Sequence, residues 1–173
     1  RITEFPMNIQ GNEAGIELNN KKCFGTGYRT DCNAESTAYA VLALDSLDAD
    51  KTKAVEWLKK NAQTTKEKAI ALYLSSSSGI EAWLLNNQHS SGYFSAKSLL
   101  ESQQADFEST VFAALALKKE KKTAEHGKTE TWLKKNFVNT DLKDKALAAG
   151  FIFTSSNIEP IITINPAALK AKT

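Results

Sequence analysis

One stretch of this chain is written twice. Glu35-Ser36-Thr37-Ala38-Tyr39-Ala40-Val41-Leu42-Ala43-Leu44 returns as Glu108-Ser109-Thr110-Val111-Phe112-Ala113-Ala114-Leu115-Ala116-Leu117. Seven of the ten positions are identical, and the other three exchange one apolar residue for another. Neither copy carries the polar stripe of a helix lying on a surface. Each is apolar nearly all the way round after its first turn, a pattern that demands burial on several sides. Such helices need neighbours on both flanks, so the chain must build an all-α arrangement in which they are inner elements.

A second motif keeps the same rhythm. Trp57-Leu58-Lys59-Lys60-Asn61 returns as Trp132-Leu133-Lys134-Lys135-Asn136, an offset of 75 against 73 for the first motif. A third relative, Trp83-Leu84-Leu85-Asn86-Asn87, lies between them. Buried helix, loop and Trp-Leu helix therefore form a repeated unit, which favours an array of helical pairs over an irregular bundle. The three tryptophans read as packing residues between helices.

Along the chain, residues 1–30 show no sustained period and read as an irregular arm with a short strand, packed across the helices. Helices are expected from Asn33, as N-cap, to about Leu47, then over Lys51–Ala62 and about Lys66–Leu74. Ser75 to Gly79 reads as a turn, Ile80 to about Asn87 as a helix, and Ala96 to Ser102 as a short helix. Asp106 should cap the second copy of the inner helix, which Lys118 to Lys122 closes with a basic run favoured by the helix dipole. Thr129–Phe137 and Asp141–Ala149 read as the last two helices. Beyond residue 150, Phe151-Ile152-Phe153 and Ile161-Ile162-Thr163-Ile164 are β-prone and read as a linker or terminal strands leading to a further domain.

Composition removes several classes of function. The chain has 173 residues, 42 % hydrophobic, enough for one real core. Its net charge is only +2, and Arg1 and Arg29 are its only arginines, which argues against nucleic-acid binding. No apolar run reaches the roughly 20 residues of a membrane helix, so no membrane insertion is expected. A chain beginning at Arg1 reads as processed or excised, with a removed leader possible. Cys23 and Cys32 lie nine positions apart in a polar loop with Gly25 and Gly27. A local disulfide there would imply export, and two reduced structural thiols are the alternative.

Trp83-Leu84, three residues, Gln88, three residues and Gly92-Tyr93-Phe94 resemble the QW repeat of squalene and oxidosqualene cyclases, with Phe94 where Trp is usual and the upstream basic residue missing. Such a segment works as a brace: the Gln amide bonds the N-terminal backbone of a neighbouring helix while the ring stacks beside it. The duplicated helix resembles the inner helices of the wider α/α-toroid superfamily. That group includes terpene cyclases, protein prenyltransferase β subunits, complement-type thioester domains and cobalamin carriers. The resemblance covers about residues 30–150. It implies an α/α-toroid-like open arc of helical hairpins over 31–150, and it says little about function, because this fold hosts unrelated chemistries.

Asp31-Cys32-Asn33-Ala34-Glu35 is similar to the Asp-Cys-Thr-Ala-Glu segment of oxidosqualene cyclases and departs from it only at Asn33. The resemblance implies Asp31 as a general acid hydrogen-bonded by Cys32, which needs a carboxylic acid kept protonated by burial. In the second repeat these positions are Gln104 and Ala105, so the pair is not part of the repeated scaffold, and Asn33 aligns with the capping Asp106. The plainer reading is an Asp at a helix N-terminus beside a Cys tied to Cys23. With 9 % aromatics, the chain cannot alone wall the cavity a cyclase needs. His89 and His126 occupy no zinc-ligand motif, His89 reading as solvent-facing, and the Cys-Gly-Glu-Gln thioester signature is absent.

The reading that follows is a non-catalytic binding or scaffold module of an exported or cell-surface protein, with another domain or subunit completing the arc and no metal or cofactor. A cyclase-like fragment using Asp31, and a cobalamin-carrier-like small-molecule binder, are the alternatives.

Overall fold

The computed structural model describes residues 22–25 and 31–151. Seven α-helices make up the described part, with no strand among those residues: α1 Ala34–Ser46, α2 Thr52–Asn61, α3 Thr65–Leu74, α4 Ser78–Asn86, α5 Phe107–Lys119, α6 Thr123–Asn136 and α7 Leu142–Phe151. A 3₁₀ turn, Phe137–Asn139, follows α6. The described part is all-α, as its periodicity requires. Most of the expected N-terminal arm and the β-prone tail past residue 151 lie outside the described residues.

Four boundaries differ from the sequence reading. Gly79 belongs to α4, whose first turn has no intrahelical partner to lose, so a glycine there is cheap. Residues 96–102 form turns instead of a helix, because their backbone groups are engaged elsewhere: the Ala96 carbonyl accepts from Thr65 N and Leu99 N donates to Asn87 Oδ1. α6 begins at Thr123, six residues before the expected start, with Gly127 hiding an otherwise sound pattern. Phe151 closes α7 and does not open a strand.

Packing has a simple order. The odd-numbered helices form a row in which α1 packs on α3, α3 on α5 and α5 on α7, and α3 with α5 is the most extensive pair. The even-numbered helices back this row: α2 lies against α1 and α3, α4 against α3, and α6 against α5. The main core draws on Ala38, Val41, Leu58, Ile70, Leu72, Leu84, Phe94 and Leu117, all fully buried.

The repeat goes deeper than the two duplicated motifs. Each even-numbered helix ends with the same device, an Asn side chain donating to the carbonyl of the Trp four residues earlier: Asn61 to Trp57, Asn87 to Trp83 and Asn136 to Trp132, each at 2.8 Å. The Leu after each Trp (Leu58, Leu84 and Leu133) is fully buried. α1 and α5 also stop alike. Asp48 and Lys121, offset by 73 like the helices themselves, both take left-handed φ, at 52° and 58°. The next residue then bonds back five positions, Ala49 N to Leu44 O and Lys122 N to Leu117 O, each at 2.9 Å. Among the described residues the structural unit is one hairpin used three times, followed by the single helix α7.

Candidate functional site

The odd-numbered helices share an N-terminal design, and it brings their first turns together. Asn33, Thr64, Asp106 and Asp141 stand immediately ahead of them. Each side chain accepts from the backbone N–H three residues on: Ser36 at 2.9 Å, Glu67 at 3.3 Å, Ser109 at 2.9 Å and Asp144 at 2.8 Å. Thr64 and Glu67 form a full capping box, and Glu67 also accepts from Gln63 N at 2.8 Å, which accounts for a buried carboxylate.

Two residues after each cap stands a charge, and the sign alternates along the row: Glu35, Lys66, Glu108, Lys143. The four side chains are joined in sequence. Lys66 Nζ lies 2.7 Å from Glu35 Oε1 and 3.6 Å from Glu108 Oε2, and Lys143 Nζ lies 3.1 Å from Glu108 Oε2. Tyr39 sits in the middle, donating its hydroxyl to Glu108 Oε1 at 2.5 Å and accepting from Lys66 Nζ at 3.1 Å. The inner members are shielded, with Lys66 14 % and Glu108 15 % exposed in their side chains. This charged rim crosses all four odd-numbered helices.

Its electrostatics follow from the contacts. Burial works against the Lys66 ammonium, but Glu35, Tyr39 and Glu108 outweigh it and hold its pKa well above the ordinary lysine range. Burial likewise opposes the Glu108 carboxylate, yet the Tyr39 hydroxyl, Lys143 and Lys66 keep it below its ordinary 4.5. Burial and then Glu108 push the Tyr39 hydroxyl above its ordinary 10.0. The depressed Glu108 contributes stability that is present above pH 4.5 and lost as pH falls through its folded value. The raised Tyr39 and Lys66 contribute stability present below 10.0 and 10.5 and lost as pH rises past them. Urea titrations across pH should therefore show a plateau between these limits. Glu108→Gln should cost about 1–2 kcal/mol at neutral pH and make the acid limb shallower. An unchanged acid limb would mean that Glu108 is not the group whose protonation destabilises the fold.

The QW-like segment lies along α6. Gln88 Nε2 donates to Glu125 O at 2.8 Å and to Thr129 Oγ1 at 2.7 Å, within the first turns of that helix. One turn on, Gly92 comes so close that a Cβ would stand 2.6 Å from the Lys128 carbonyl carbon, and its φ of 101° is one that side chains rarely adopt. A further turn on, the Tyr93 ring meets Trp132 at 5.7 Å, and its other neighbour is His89, stacked at 4.3 Å. Phe94 then drops into the core, fully buried. Trp83 stays on α4, half-exposed, under the Lys68 ammonium at 5.2 Å. The segment ties the second hairpin to the third.

Phe94 also reveals what Cys23 and Cys32 do. Phe94 N donates to Thr110 Oγ1 at 3.0 Å, and Phe94 O accepts from Asp106 N at 2.9 Å. In the first repeat Phe24 N donates to Thr37 Oγ1 at 2.9 Å, and Phe24 O accepts from Asn33 N at 2.9 Å. The loop between clamp and cap is closed by the Cys23–Cys32 pair, Cα atoms 5.4 Å apart, in one case and by Tyr93 Oη donating to Gln103 O at 2.7 Å in the other. Replacing both cysteines with serine should cost about 2–3 kcal/mol for a loop of this length, read as a fall in Tm that added reductant reproduces in the parent chain.

Asp31 and Cys32 are exposed ahead of α1, and Cys32 is paired with Cys23. The acid reading needs a shielded carboxyl beside a free thiol, and neither condition is met here. A cleft of about 310 Å³ does open next to them, lined by Cys32, Asn33, Trp57, Asn61, Thr64 and Glu67, but the Glu67 carboxylate is already held by backbone donors. His126 is half-buried on α6, with its pKa lowered by burial despite Glu130. Among the described residues no group of three or more metal-binding side chains is gathered, and no helix is long and apolar enough to cross a membrane. Glu35, Tyr39, Lys66 and Lys143 were not singled out from sequence. Their signal, a charge two residues after each N-cap with alternating sign, emerges only when all four helix starts are in register. Comparison with family models, characterised proteins and solved structures finds no significant match.

Proposed function

We propose that this chain is a non-catalytic scaffold module of an exported or cell-surface protein, an α/α-toroid-like arc whose row of inner helices is continued by another domain or subunit. The observation that carries this reading is the unequal treatment of the duplicated helix. In α5, Phe112, Ala113 and Ala116 are buried against the main core. Their counterparts in α1, offset by 73, are Tyr39, Ala40 and Ala43, and Tyr39 is 40 % exposed against 3 % for Phe112. Ala43 is exposed outright, and Leu47 beyond it is 66 % exposed. A helix whose sequence is written for two covered flanks has only one covered by the described residues. The Cys23–Cys32 pair supports an oxidising location, and the inner rim charges, Lys66 and Glu108, are engaged with one another and with their neighbours.

A photoreactive phenylalanine analogue in place of Ala43, introduced in the producing cells, tests the reading. Illumination should give a discrete higher-mass adduct to a protein chain. Labelling by solvent alone would mean that the flank of α1 is free, and the reading would fail.

A further inference from the structure

The two ends of the helical row are complementary to each other. α5 has two apolar faces: Phe112, Ala113 and Ala116 belong to the main core, while Val111 and Ala114 pack with Leu133 of α6 and Ala148 of α7. The former set points backward along the row, toward α3, and the latter points forward, toward α7. In α1 the forward residues Ala38 and Val41 are buried, and the backward residues Tyr39 and Ala43 are exposed. α7, placed in register by its cap (Asp106 to Asp141, an offset of 35), shows the opposite. Its backward residue Ala148 is buried with Leu147 packed beside it, and its forward residues Ala146 and Ala149 are exposed. Among the described residues, one end offers an uncovered backward face and the other an uncovered forward face.

Charge follows the same order. Within the rim, Lys66 and Glu108 each touch two oppositely charged neighbours. Among the described residues the terminal members pair with one each, and they are of opposite sign: Glu35 at the α1 end, with a side chain 58 % exposed, and Lys143 at the α7 end, 69 % exposed. Setting Lys143 beside the Glu35 of another copy continues the alternation without a break. Setting α1 against α1 would face glutamate with glutamate, and α7 against α7 lysine with lysine, both unfavourable.

We propose that a second copy of this chain occupies the open flank of α1, its α7 edge docked head to tail so that Lys143 meets Glu35 and Ala146 and Ala149 pack on Tyr39 and Ala43. This rests on the reading of the chain as a module whose row is continued, and it names the continuing partner. The contact joins two different surfaces, so it builds either a closed ring or an open chain. The Lys143–Glu35 pairs are solvent-facing, so salt should weaken the association.

Sedimentation velocity on the purified 173-residue chain, from low micromolar to millimolar concentration and at low and high salt, tests this with two variants at exposed positions. Association is expected for the parent chain, weaker at high salt. Ala43→Arg alone and Ala149→Arg alone should each remain monomeric with unchanged circular dichroism. Mixed in equal amounts, they should form a one-to-one dimer, because one variant keeps a good α7 edge and the other a good α1 edge. A parent chain that stays monomeric throughout overturns the proposal. So does an Ala149→Arg chain that self-associates like the parent, or a mixture that gives no dimer. Should the photo-adduct at position 43 contain a different protein while the parent chain stays monomeric, the scaffold reading stands and the self-docking proposal alone falls.

Discussion

Phe94→Ala is expected to cost about 3–5 kcal/mol, the range for removing a large fully buried aromatic. Among the described residues Phe94 is the largest side chain with no exposure, and it belongs to the main core with residues of α3, α4 and α5. Its backbone also holds the start of α5 through Thr110 and Asp106, so the cavity would open beneath an anchored loop that is poorly able to collapse into it. The matching Phe24→Ala should cost clearly less, because Phe24 is only half-buried although its backbone makes the same clamp. Chemical denaturation of the two variants side by side measures the difference. Equal losses would mean that the backbone clamp dominates and the burial of the ring does not.

Gly92→Ala is expected to cost about 3 kcal/mol, from two causes that act together. The left-handed φ of 101° strains any residue with a Cβ, and the added methyl would run into the backbone of α6 at Lys128. Backbone cannot step aside as a flexible side chain would. Relief requires the loop to lift off α6, which breaks the Gln88 bonds to Glu125 and Thr129 and the Tyr93–Trp132 contact. Gln88→Ala removes only the hydrogen bonds and should cost about 1–2 kcal/mol. Thermal unfolding should rank the two variants in that order, and a silent Gly92→Ala would show that the loop does not lie on α6.

Much of this was legible in the sequence, for identifiable reasons. The duplicated Glu-Ser-Thr helix and the Trp-Leu motif are long and apolar, so their spacing alone set the helical array and its caps at Asn33 and Asp106. The Gln88–Gly92–Phe94 spacing marked the brace. What stayed hidden was information held between elements. α3 and α7 lack the Glu-Ser-Thr start of α1 and α5, so nothing sets Lys66 and Lys143 apart from other lysines until the four caps are aligned. The equivalence of Phe24 with Phe94 is carried by backbone hydrogen bonds to a threonine, and loops of different length separate each Phe from its cap. Nothing in the sequence marks Glu67 as buried, and it is the buried half of a capping box. In each case the sequence supplies the residue and the neighbouring helix supplies its meaning.

Among the described residues, two nearly identical helices differ because one has neighbours on both flanks and the other on one. Native-state amide hydrogen exchange in dilute solution tests that claim directly, since it reports the local opening of each helix. The central amides of α5, Val111 to Ala116, should exchange at least about a hundredfold more slowly than Ala38 to Ala43 of α1. Equal protection in the two helices would contradict it.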